Sequence, residues 1–174
     1  MRLFSIALLA AAVGCGSTKP ESEGQADTLN ADCQAAMTRG KAAGAQKWFE
    51  SAYGYVVFPE VGKAGFIVGG AHGRGQVYEH GSMVGYSTIT QGTIGLQAGA
   101  QSFAEIIFFK DKAAFSAFKE GNYELGAEAT AVAIDKGASA AADYSNGVAI
   151  VVFGEGGLMA GAAVGGQKFS YAAK

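Results

Sequence analysis

The chain of 174 residues is poor in the groups that most chemistry needs. It has two histidines, two cysteines, two prolines and one tryptophan, and only 16% of its residues are charged. Neither sign of charge dominates: 13 Lys and Arg against 15 Asp and Glu leave a net charge of −2, with no long basic run. That excludes a nucleic-acid binder held by phosphate neutralisation. The signatures His-Glu-x-x-His, Gly-x-Ser-x-Gly and Gly-Lys-Ser/Thr are all missing. The glycine-rich stretch at 69–75 lacks the lysine and hydroxyl of a phosphate loop. No enzyme and no cofactor are expected. Low charge with 49% hydrophobic residues excludes disorder over most of the length. Glycine is the residue in excess, 27 in all. Without a strict period of three it cannot make a collagen, so it serves turns, bulges and bare sheet faces.

The first segment reads as an address. After Met1-Arg2, residues 3–13 form an apolar stretch that as a helix would span about 16 Å, roughly half a bilayer core. This excludes a transmembrane helix there and fits a signal peptide. Ala12-Val13-Gly14-Cys15 then resembles a lipoprotein lipobox, with Ala12 where leucine is usual. The resemblance implies that Cys15 is acylated and becomes the mature N-terminus. Gly16 in place of the aspartate that retains lipoproteins in the inner membrane implies an outer-membrane position facing the periplasm. The expected organisation is a signal peptide over 1–14, an acylated N-terminus and flexible tether of about 20 Å over 15–28, and one domain over 29–174. The alternative for Cys15 is a disulfide to Cys33, the other cysteine. If Cys15 is acylated, Cys33 is expected as a small packed residue on the first helix.

Residues 29–51 carry a helical period weakened by Gly40 and Gly44. On a helical wheel Arg39, Lys41 and Lys47 point in different directions. From Tyr55 the pattern turns β-like. Strands are expected at 55–58, 64–71, 76–79, 83–88, 93–101 and 104–109, with a turn over 59–62 after the first. A helix over 110–121 should present Phe115 and Phe118 on one face, with Asp111 at its start and Gly121 at its end. Further β regions are expected at 129–134, 148–153 and 157–171. The run 148–153 is apolar on both faces, as a strand covered twice would be. The expected fold class is α+β: a curved antiparallel β-sheet or partial barrel packed with an N-terminal helix and a central short helix.

A Gly-apolar-x-x-Gly pattern recurs at 65–69, 95–99 and 157–161. It leaves bare backbone on one strand face, either as a shallow groove for acyl chains or a partner, or as a site of curvature and tight packing. His72, His80 and Glu79 allow a weak metal site or exposed turn histidines; the latter is expected, and no metal. Glu105, Glu124, Glu128 and Asp135 read as solvated acids.

Three longer strings say more. Residues 54–75 (GYVVFPEVGKAGFIVGGAHGRG), 85–101 (GYSTITQGTIGLQAGAQ) and 156–171 (GGLMAGAAVGGQKFSY) resemble, in order, the opening, middle and closing blocks of the SYLF domain family. With the segments between them the resemblance covers residues 30–171. It implies a non-enzymatic lipid- or membrane-associated module, with bacterial members often exported lipoproteins. Eukaryotic members bind phosphoinositide membranes and, in fungi, actin filaments. Their proline near Ser87-Thr88 and Gly-Pro turn near Lys136-Gly137 are absent from this chain, so those activities are not carried over. The candidate membrane-binding residues are Arg39, Lys41, Lys47, Trp48, Phe49, Lys63 and Arg74, with Cys15 as the lipid attachment site. The alternative for the helix residues is solvated charge and aromatic rings that dock the helix. The expected partner is a phospholipid membrane; the alternative is an envelope protein docked on a sheet edge or glycine face.

The two readings of Cys15 separate by acyl labelling. Cys15→Ser should abolish palmitate incorporation while Cys33→Ser keeps it. A disulfide would instead make both substitutions change non-reducing gel mobility equally and leave labelling untouched.

Overall fold

The computed structural model describes residues 17–63, 70–92, 102–121, 123–126, 144–154, 157–158 and 166–174. The first helix, α1 (Glu23–Gly40), starts six residues before the expected boundary. Ser22 Oγ accepts from the Gln25 backbone N–H at 3.3 Å, and Gln25 Oε1 accepts from the Glu21 N–H at 3.0 Å. Ser22 and Gln25 thus act as a reciprocal cap, a Ser-x-x-Gln signal that fixes the helix start well inside the stretch expected to be tether. A π-helical turn (Lys41–Ala45) follows, broken at Gly44 with φ +113°, and α2 (Gln46–Ser51) departs from that bend. A left-handed φ of this kind is open to glycine at little cost.

Eight strands follow: β1 (Gly54–Lys63), β2 (Gly70–Glu79), β3 (Ser82–Gly92), β4 (Ser102–Phe109), β5 (Tyr123–Glu124), β6 (Val148–Gly154), β7 (Gly157–Leu158) and β8 (Gln167–Ala173). They form one antiparallel sheet in the order β5-β8-β3-β2-β1-β4-β6-β7. A third helix, α3 (Lys112–Lys119), sits between β4 and β5 and is capped by Asp111, whose Oδ1 accepts from the Ala114 N–H at 2.9 Å. The expected strands at 93–101 and 129–134, and most of the Gly-apolar-x-x-Gly repeats, lie outside the described residues.

The expected turn at 59–62 is a bulge inside β1. Pro59 has no N–H to give a ladder, and β1 is paired on both sides, so the register slips between Val57 and Val61 against β2 and between Phe58 and Val61 against β4. The bulge presses on β2. A Cβ at Gly73 would lie 2.6 Å from the Glu60 carbonyl oxygen, and one at Gly75 would collide with the Val57 carbonyl oxygen and the Phe58 ring. Bulge and glycines are one device.

Alternation sorts the side chains onto two apolar faces. Val56, Phe58, Val77, Ile89, Ile107, Phe109, Val148, Ile150, Val152 and Phe169 pack on the inner face. Tyr55, Val57, Tyr78, Ile106, Phe108, Ala149, Val151 and Phe153 pack on the outer face beneath Cys33, Ala36, Met37, Ala45 and Trp48 of the N-terminal helices. β6 is therefore covered twice, as its run of apolar residues requires. The inner face is covered by curling. Phe58 of β1 and Phe169 of β8 bring their rings to 5.8 Å, and Phe115 and Phe118 of α3 fill the concave side.

The curl also buries charge. Glu105 on β4 is fully buried on the inner face, a correction to its reading as a solvated acid. Its Oε2 accepts from Gln167 Nε2 of β8 at 2.8 Å, and the same amide reaches Gln91 Oε1 at 3.3 Å. Three strands separate β4 from β8, a gap of about 19 Å in a flat sheet. Only a half-barrel lets these side chains meet. Glu105 Oε1 and Gln167 Oε1 have no hydrogen-bond partner among the described residues. Burial pushes the Glu105 carboxyl up to about 8, against the smaller opposing effect of the Gln167 bond.

Two outcomes follow from this packing. Gly75→Ala should destabilise the fold by about 1–3 kcal/mol, because its Cβ meets backbone that cannot yield; a lowered urea midpoint with unchanged m value checks it. Between roughly pH 4.3 and 8 the folded chain keeps a proton on Glu105 that the unfolded chain has released. The stability this contributes is fully present below the lower value and is lost as pH rises through the upper one, at up to about 1.4 kcal/mol per pH unit. Glu105→Gln keeps an acceptor for Gln167 and removes the ionisation. Chemical denaturation across pH 5–9 should show that slope flattened in the variant.

Candidate functional site

The candidate residues divide into two places on the outer side of the sheet. At the α1–α2 bend, Trp48 is 2% exposed, edge-on to Phe108 at 5.4 Å and stacked on Tyr144 at 5.7 Å. Phe49 is half-buried, edge-on to Tyr55 at 5.1 Å and to Phe108 at 4.9 Å. Both rings dock α2 on the sheet, so Trp48 is not available to enter a bilayer. The approach is close: a Cβ at Gly40 would lie 3.1 Å from Ile106 Cδ1 and 3.3 Å from Phe153 Cζ.

What the bend leaves outside is cationic. Arg39, Lys41 and Lys47 are exposed. The ion pairs among the described residues are Lys119–Glu79 and Lys168–Glu124, and neither involves these three. The break at Gly44 interrupts the wheel on which they diverge, and Lys41 Nζ lies 5.2 Å from the centre of the Phe49 ring. A cation lying over an aromatic face this way keeps its charge while shielding the ring.

Arg74 lies elsewhere, half-buried on β2. Its Nη2 donates to the Ser17 carbonyl oxygen at 2.7 Å, while its buried Nε–H has no acceptor among the described residues. Such an unmet donor costs about 1–3 kcal/mol. One residue on, the hydroxyls of Thr18 and Ser170 lie 3.2 Å apart. The segment expected as a free tether is thus pinned to β2 and β8 from Ser17 onward. Beside Arg74 a groove of about 510 Å³ runs between Leu29 and Asp32 of α1 and Pro59 and Glu60 of the β1 bulge, floored by His72 and Gly73. Sequence reasoning singled out Arg74 but not Asp32 or Glu60. Nothing in the chain's local pattern pairs a helix acid with a bulge acid 28 positions later.

The remaining candidates are quickly placed. Lys63 ends β1, and its side chain lies outside the described residues, as does Cys15. Cys33 is fully buried on α1 with its thiol 3.5 Å from the Val57 carbonyl oxygen. Burial pushes that thiol up to about 12, so it is a packing group rather than a reactive one. His72 is exposed with Nδ1 3.4 Å from Thr90 Oγ1; His80 sits in the β2–β3 turn at φ +48°. Glu79 is occupied by the Tyr53 hydroxyl at 2.8 Å and Lys119 at 3.3 Å, and the Tyr53 bond, then Lys119, holds its carboxyl below the ordinary value. No three His, Cys, Asp or Glu side chains converge as metal ligands among the described residues. No helix among them is long and apolar enough to cross a membrane.

Comparison with known proteins matches the sequence to a family. The model of the Ysc84 family, described as Las17-binding protein actin regulator, matches residues 90–173. Beta cell expansion factor A of Aeromonas veronii is 31% identical over 122 residues, which is 70% of this chain and 46% of that protein. The chain spans about half the length of that relative. The family match covers β4, α3 and β8 directly, and the three sequence blocks run on through β1, β2 and β3. The family match and the relative point the same way: the chain belongs to the Ysc84, or SYLF, family.

Proposed function

We propose that this chain is a non-enzymatic phospholipid-binding domain of an exported lipoprotein, anchored through Cys15 in the outer membrane and facing the periplasm. Family membership suggests a lipid-binding or actin-regulator-related domain, and of these the lipid surface suits the residues better. The observation that carries the reading is the α1–α2 bend. It holds Arg39, Lys41 and Lys47 exposed and out of ion pairs on a rigidly docked support. Trp48 and Phe49 supply that support rather than contact the bilayer.

Vesicle co-sedimentation of the chain from Gly16 onward tests the domain without its acyl anchor. Vesicles of phosphatidylcholine with phosphatidylglycerol should pellet it at low salt and release it at high salt, since exposed charges are screened. Each cation near an anionic surface contributes about 1 kcal/mol, so Arg39→Gln, Lys41→Gln and Lys47→Gln together should weaken binding by about two orders of magnitude. Absence of pelleting at low salt, or unchanged pelleting of the triple variant, overturns the reading.

A further inference from the structure

We propose that the groove beside Arg74 binds the zwitterionic phosphoethanolamine headgroup of a membrane lipid, with its phosphate on Arg74 and its ammonium between Asp32 and Glu60; this rests on the phospholipid-binding reading above. The charges in the groove are mixed in a way that suits neither an anion nor a cation alone. Arg74 carries a permanent positive charge and a buried Nε–H without an acceptor. Asp32 and Glu60 line the same groove, both exposed, and neither carboxylate has a hydrogen-bond or ion-pair partner among the described residues. A phosphate oxygen accepts from the Arg74 guanidinium, and a primary ammonium supplies N–H donors to the two carboxylates. A simple phosphate would face two like charges. A quaternary ammonium has no N–H to donate, and the groove offers no Phe, Tyr or Trp face of the kind that recognises one. The volume, about 510 Å³, is in the range of small-molecule sites.

The strap places this groove at the right depth. Arg74 holds the Ser17 carbonyl oxygen at 2.7 Å, and Thr18 is held by Ser170. Cys15 is two residues upstream of Ser17 in the sequence. An acyl group on Cys15 therefore holds the groove at the headgroup layer on a leash of two residues. The α1–α2 bend stands on the same outer side of the sheet, seven residues past Asp32 at Arg39, about 10 Å along α1. Anchor, groove and bend cations can meet one bilayer together.

Soluble fragments separate this from general membrane attraction. The full chain in maltoside micelles is titrated with glycerophosphoethanolamine, glycerol phosphate and ethanolamine, each followed by calorimetry. The expected result is saturable binding of the zwitterion and at least tenfold weaker binding of each half. Arg74→Gln should weaken zwitterion binding at least tenfold. Asp32→Asn with Glu60→Gln, which leaves the Ser17 contact intact, should shift preference toward glycerol phosphate; circular dichroism confirms that both variants are folded. No saturable zwitterion binding by the folded wild type, equal affinity for glycerol phosphate, or undiminished binding by the folded double variant overturns the proposal. Vesicle pelleting that persists while headgroup binding fails removes this site and keeps the membrane reading. Headgroup binding without pelleting does the reverse.

Discussion

A sheet whose central strands are apolar on both faces has to be covered twice, and the molecule follows from that requirement. β1, β4 and β6 each send large apolar side chains to both sides. Each such side chain left in water would forfeit about 1.5–3 kcal/mol. The outer face is covered by α1 and α2. The inner face is covered by the sheet itself, which curls until β8 looks across at β4, with α3 closing what remains. The β1 bulge at Pro59 and the glycines opposite it at 73 and 75 let the central pair bend without steric conflict.

Covering the outer face has a consequence for function. The aromatic residues of α2 are consumed in holding the helix down, so any lipid contact there falls to the cations that the bend leaves outside. The same outer side receives the N-terminal segment, pinned by Arg74 and Ser170. A segment expected to be a free tether is a strap from Ser17 onward. Glu105 shows the cost of the curl from within. A carboxyl carried inward by its strand position can stay there only by keeping its proton and borrowing the Gln167 amide.

Much of the architecture was legible because it rests on short-range rules. β-type runs between glycine turns located β3 and β4, and an unbroken apolar run located β6; spacing and capping located α3 with Asp111 at its start and Gly121, at φ +77°, past its end. The run 148–153 announced a strand covered twice. Cys33 was expected to pack on the first helix, and it does. The start of α1 was also within reach: Ser22 and Gln25 at capping spacing are a local signal that the apolar period at Leu29 obscured. An acid at position 105 between Phe103 and Phe109 was a similar hint, since alternation alone puts it on the face of those two rings.

By itself, then, the sequence determined the fold class, the places of the first helix, α3, β3, β4 and β6, and the family, because propensity, period and caps act over a few residues. Tertiary structure decided the rest. Whether 59–62 is a turn or a bulge depends on which strands flank it. Whether Glu105 is solvated depends on the curl that brings Gln167 across three strands. Whether Arg74 is a loose surface charge or the clamp of the N-terminal strap depends on Ser17, 57 positions away. Contacts at such separations are made by the packing of two faces of one sheet, and no local pattern of residues encodes them.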